Sequence, residues 1–116
     1  MSLIYQLPSD GRKQQQQQQQ RPGIYLGSKS DAKDRDKLRN RNVTHILNLT
    51  PSKEANIQAG VPNYFETSFV YLRIPIYDTS SSAQQLRDNA DQIISFISKG
   101  LCHGSVLVHC QKGVSR

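Results

Sequence analysis

"SVLVHCQKGVSR", residues 105–116, is the stretch on which the rest of the chain turns. Ser105, Val106, Leu107 and Val108 form a short apolar run, the length and character of a strand buried on both faces of a parallel sheet. The loop that leaves this strand carries Cys110, Gly113 and Arg116. Such a loop can curl until successive backbone N–H groups converge on an anion, and Gly113 supplies the free φ/ψ that the curl needs. Arg116, at the far rim, can hold two phosphoryl oxygens with its planar fork, which a Lys cannot do bidentately. The same donors favour a thiolate over a thiol at Cys110. The spacing therefore predicts a nucleophilic Cys at the base of a phosphate cradle.

Upstream, the pattern alternates between strand and helix. "GIYLGS" is a short β-type run, after which Ser30 or Asp31 caps a polar helix reaching about Asn40. "VTHILNLT", residues 43–50, is β-branched and apolar, and Pro51 stops it. Residues 51–68 mix Pro, Gly, Asn and Ser and read as loop, with at most one helical turn near 54–58. "FVYLRIPI", residues 69–76, is the next strand. "YDTSSS" then leads into a helix whose apolar positions Leu86, Ala90, Ile93, Ile94 and Ile97 fall on one face of a 3.6-residue period, and Gly100 ends it. Strands alternating with helices predict an α/β fold, a central, mostly parallel sheet flanked by helices on both faces. Sites in such folds lie beyond the carboxyl ends of the strands. Asp78 and Cys110 both fall there.

Composition narrows the classes. A chain of 116 residues allows one domain with a single core, and its apolar residues concentrate after position 24. Residues 1–23, with seven consecutive Gln at 14–20, cannot bury enough apolar surface to offset the entropy of ordering and read as a disordered leader to a domain over 24–116. The net charge of +6 is concentrated in front: residues 1–41 hold nine Lys/Arg against four Asp/Glu, and residues 42–116 hold six against five. No aromatics interleave with the basic run at 29–41, as single-strand nucleic-acid grooves require, so it reads as a solvated helix face and no nucleic-acid partner is expected. Two Cys make no disulfide framework. The N-terminus has neither a signal-peptide apolar run nor Gly at position 2, and no stretch nears eighteen apolar residues. A soluble intracellular protein, cytoplasmic or nuclear and without a membrane partner, is expected.

Phosphoryl transfer to Cys110 also wants a proton donor for the leaving oxygen. Asp78 is the candidate if its strand and that of Cys110 are sheet neighbours; alone it reads rather as an acid near the N-cap of the following helix, and the Cys110 loop reverses that preference. Cys102 reads as a small buried residue or as a resolving thiol for Cys110. His45 and His103 lie in a strand and a loop without metal-ligand spacing, and no metal or cofactor is expected.

"HCQKGVSR" resembles the signature of Cys-based phosphatases, a His-Cys pair followed by Gly and Arg at intervals of three. "GIYLGSKSDAKDRDKLRNRNVTHILNLT", "YLRIPIYD" and "DQIISFISKG" look like successive segments of dual-specificity protein phosphatases, so that the resemblance covers about residues 23–116. The 32-residue interval between Asp78 and Cys110 also matches that family's spacing of acid and nucleophile. The resemblance implies that Cys110 forms a phosphocysteine. Arg116 and the backbone of Gln111, Lys112, Gly113, Val114 and Ser115 would bind the phosphoryl group, Asp78 would protonate the leaving oxygen, and His109 would hold the Cys loop through hydrogen bonds. Phosphorylated proteins would be the substrates. The family continues past this Arg with a hydroxyl residue and further helices, so the chain is expected to be a piece of such a domain with its C-terminal helices missing, a 116-residue fragment of doubtful activity. The alternatives are a phosphate-binding scaffold without turnover and a phosphatase of inositol or nucleic-acid phosphates, which the single Lys112 in the loop disfavours.

Overall fold

Val106 and Leu107 have no exposed surface: the strand that holds them, β5 (Ser105–His109), has parallel neighbours on both sides, and both faces of the sheet are covered there. The computed structural model describes residues 1–8, 21–76 and 82–110. In chain order these form β1 (Ser2–Gln6), β2 (Gly23–Gly27), α1 (Lys29–Ala32), α2 (Arg35–Asn40), β3 (Val43–Asn48), β4 (Val70–Arg73), α3 (Ser82–Asp88), α4 (Ala90–Leu101) and β5. The sheet order is β1-β2-β5-β3-β4, antiparallel at β1/β2 and parallel elsewhere. Non-adjacent order with intervening helices is the signature of crossover connections. One apolar cluster (Tyr25, Ala32, Leu38, Val43, Ile46, Phe69, Leu107) takes in α1 and α2. The other (Leu47, Leu49, Ile74, Ile76, Cys110) is covered by Leu86, Ile93, Phe96 and Ile97 of α3 and α4. The expected mostly parallel α/β sheet with helices on both faces is what forms.

Several local expectations give way. Part of the leader at 1–23 is ordered: Ser2–Gln6 is an edge strand whose register runs Ser2↔Leu26 to Gln6↔Gly23, with an irregularity between Leu3 and Tyr5. It satisfies the open backbone edge of β2, and Gly23 permits the approach, since a Cβ there would lie 2.7 Å from both Leu3 Cδ1 and the Tyr5 carbonyl. Met1 packs against the first cluster.

The polar helix is two short ones. Ser28, not Ser30 or Asp31, is the N-cap of α1, with its N–H donated to Asp31 Oδ2 at 2.9 Å. Asp34 opens α2 by accepting from the Lys37 N–H at 3.1 Å, which ends α1 after one turn. Asn42, in the left-handed region at φ 59°, reverses the chain into β3. The second helical stretch also breaks, at Asn89, whose Nδ2 donates to the Gln85 carbonyl at 2.7 Å. Ile94 does not face the sheet but is 61% exposed, and Phe96 takes its place beside Ile93 and Ile97. Residues 93, 96 and 97 follow the i, i+3, i+4 stripe, from which Ile94 is turned by one residue.

Candidate active site

β5 ends at His109, so the next residue, Cys110, lies at the carboxyl end of the central strand, where the sequence places it. It is only 2% exposed and belongs to the second apolar cluster together with Ile76. Asp78 and the expected phosphate-binding residues Gln111, Lys112, Gly113, Val114, Ser115 and Arg116 lie outside the described residues.

The condition set for Asp78 is corrected by the topology. β4 and β5 are not neighbours, because β3 runs between them. The chain after β4 nevertheless stays extended along the end of β3: the Ile74 N–H donates to the Asn48 carbonyl at 2.9 Å and the Ile76 N–H to the Leu49 carbonyl at 3.0 Å. Leu49 in turn donates its N–H to the His109 carbonyl at 2.9 Å. One residue, Leu49, thus joins the segment that precedes Cys110 to the segment that precedes position 78. The strand expected over 69–76 is regular only at Val70–Arg73, since Pro75 has no N–H to give.

His109 is fully buried, and neither ring nitrogen has a hydrogen-bond partner among the described residues. The hydrogen bonds expected of it toward the Cys loop at 111–116 lie outside the described residues. Burial, aided by the positive charge of Arg73, pushes its pKa down to about 4, against a weaker opposite pull from the Cys110 backbone, which lies outside hydrogen-bonding geometry. The imidazole is neutral at physiological pH.

Sequence reasoning missed the polar network beside the site. Asn48, opposite His109 in the β3/β5 register and opposite Arg73 in the β3/β4 register, is fully buried. Its Nδ2 donates to the Val61 carbonyl at 2.8 Å and to Asn63 Oδ1 at 2.9 Å, and its Oδ1 accepts from the Thr50 N–H at 2.9 Å and Thr50 Oγ1 at 2.7 Å. The Arg73 guanidinium donates to the carbonyls of Thr50 at 2.9 Å, Pro51 at 2.7 Å and Val61 at 3.0 Å. The signal was present in "THILNLT": a carboxamide inside an apolar strand must find partners, and here they order the loop at 50–63.

At the other end of the strands, Cys102 is exposed at the C-cap of α4, and β5 separates it from Cys110. The expectation that it is a small buried residue does not hold, and its position is wrong for resolving Cys110. His103 stacks on buried His45 with ring centroids 5.7 Å apart. Among the described residues no group of three or more His, Cys, Asp or Glu could hold a metal ion, and no helix is long and apolar enough to cross a membrane.

The fold is an α/β sheet with a buried thiol at the carboxyl end of its central strand, and Gly113 and Arg116 follow that thiol in the sequence. The family described as dual specificity phosphatase, catalytic domain, matches residues 24–116, and the chain belongs to that family. It is 36% identical over 96 residues to human dual specificity protein phosphatase 15, covering 82% of this chain and 29% of that protein. It is 39% identical over 98 residues to human dual specificity protein phosphatase 9, covering 82% and 23%. With Drosophila melanogaster protein phosphatase Slingshot it shares 34% identity over 94 residues, 80% and 8% of the two chains. The chain thus spans less than a third of the length of these relatives.

Proposed function

We propose that the protein of which this chain is part hydrolyses phosphotyrosine and phosphoserine/threonine esters in proteins through a phosphocysteine. In the first step the Cys110 thiolate attacks phosphorus, the ester P–O bond breaks, and the leaving oxygen takes a proton from Asp78. In the second, water attacks the phosphocysteine while the Asp78 carboxylate removes its proton, releasing phosphate and restoring the thiolate. Arg116 and the backbone N–H groups of 111–115 carry the charge of the phosphoryl oxygens. The observation that carries this reading is the position of Cys110, buried at the carboxyl end of the central parallel strand. A second supports it: the chain leading to Asp78 is bonded through Ile76 to the same Leu49 that holds His109. Family relatives whose names say dual specificity favour protein esters over the scaffold and inositol or nucleic-acid alternatives.

The test is turnover of a generic aryl phosphate and of phosphotyrosine, phosphothreonine and phosphoinositide substrates by the full native chain and by Cys110→Ser. A Ser hydroxyl stays protonated, so turnover should vanish while phosphate-ester binding survives. Residual activity within a few-fold of the parent rejects Cys110 as nucleophile, and a preference for the phosphoinositide rejects the substrate class.

A further inference from the structure

We propose that Asn48 is a positioning residue for the reaction, setting through the backbone of Leu49 the two segments that deliver Cys110 and Asp78. This rests on the phosphatase reading above and deepens it. The Asn48 carboxamide closes over its own chain: Oδ1 takes both the N–H and the hydroxyl of Thr50, two residues on, while Nδ2 is tied to Val61 and Asn63 on the far side of the loop. Leu49 is the residue enclosed by that closure. Its peptide groups therefore cannot turn without breaking buried hydrogen bonds, which the low local dielectric makes costly. Those peptide groups face the site on both sides. The Leu49 N–H holds the His109 carbonyl, which belongs to the same peptide plane as the Cys110 nitrogen, and the Leu49 carbonyl holds the Ile76 N–H, two residues before Asp78.

The Arg73 guanidinium fixes the outer side of the same turn by gripping the Thr50, Pro51 and Val61 carbonyls. The turn is thus anchored at both ends, and Leu49, the residue Asn48 immobilises, has a backbone bond to both functional segments. Small errors of placement matter at such a site, because a displacement of about 1 Å can cost on the order of 10²-fold in rate.

The test compares Asn48→Leu, which keeps the volume and removes the hydrogen bonds, with Asn48→Asp, which keeps the acceptor for Thr50. Aryl and alkyl phosphates of graded leaving-group pKa are turned over by the full native chain well below its unfolding temperature. Asn48→Leu should lower kcat by about tenfold or more on poor leaving groups and less on good ones, with KM within about threefold, because a displaced acid matters most where the leaving oxygen needs its proton. Asn48→Asp, which turns an oxygen toward the Val61 and Asn63 acceptors, should recover part of the loss. Should Asn48→Leu fail to fold, Thr50→Val, which removes one of the two donors to Oδ1, should give the same steepened leaving-group dependence with a smaller fall in kcat. A variant with a lowered unfolding midpoint but the parent's kcat and leaving-group dependence overturns the proposal and leaves Asn48 a loop brace. Turnover within a few-fold of the parent after Cys110→Ser overturns instead the Cys110 nucleophile on which it stands.

Discussion

The imidazole of His109 sits in a buried position with neither nitrogen bonded among the described residues, and its pKa is pushed down to about 4 from 6.5. The unfolded chain takes up a proton near pH 6.5 that the folded His109 refuses until about pH 4. Stability is therefore full above pH 6.5 and lost as pH falls to about 4, by about 3 kcal/mol for that shift. His45, also lowered by burial and by the nearby His103, acts in the same direction. Denaturant unfolding at pH 7, 5.5 and 4 should show this loss, and His109→Gln should flatten the profile; an unchanged slope would mean that His109 is charged in the folded state. Asp78 has its own pH signature. A general acid must be protonated, so the rate falls on the alkaline side as it ionises, and Asp78→Asn should remove that limb while slowing alkyl esters more than aryl ones. Equal losses on both ester types would leave Asp78 as a helix cap and move the search to Asp88 or Asp91.

Among the elements, α4 is the one that seals the face of the sheet on which Cys110 lies, and Gly100 sets how closely it does so. A Cβ at Gly100 would lie 2.6 Å from Val106 Cγ2 and 3.0 Å from the His45 ring and Cβ. Gly100→Ala gains helix propensity of about 1 kcal/mol but overpacks a contact against the central strand, and overpacking of this kind costs about 1–3 kcal/mol. The melting temperature should fall, and a rise would show that α4 can ride outward without loss. The strands β2, β3 and β5 were legible because buried parallel strands need continuous β-branched or apolar runs, and "VTHILN" and "SVLV" can be little else. β1 was not, because five residues followed by a polar tract carry no periodicity, and its order comes from the edge of β2 and the access at Gly23. The breaks at Asp34 and Asn89 were hidden for a different reason. Asp and Asn are tolerated inside helices, and only the local hydrogen bonds show that they compete with the ladder here. At the site, the position of Cys110 past a buried strand was legible from the apolar run before it, and "THILNLT" carried the signal of a buried Asn48, whereas the roles of Asn48 and Arg73 were not legible, since their partners are backbone carbonyls and N–H groups that come together only in the folded loop.

At the scale of the molecule, order should grade outward from β5. Its backbone is paired to β2 on one side and β3 on the other, whereas β1 is an edge strand with Leu3, Ile4 and Tyr5 exposed. Native-state hydrogen exchange should find the slowest amides in β5 and β3 and faster ones in β1. Equal protection of β1 and β5 would mean that the edge is covered in solution.

The central strand is also the last of the five to be synthesised. β2 and β3 are complete some sixty residues before β5 appears, yet they never pair with each other, because the slot between them belongs to Ser105–His109. A nascent chain therefore carries two facing, unpaired strand edges until β5 emerges, the kind of exposure that chaperones shield and aggregation exploits. The strand that fills the slot is the one that ends at Cys110. Filling that slot therefore also carries Cys110 to its place at the strand end.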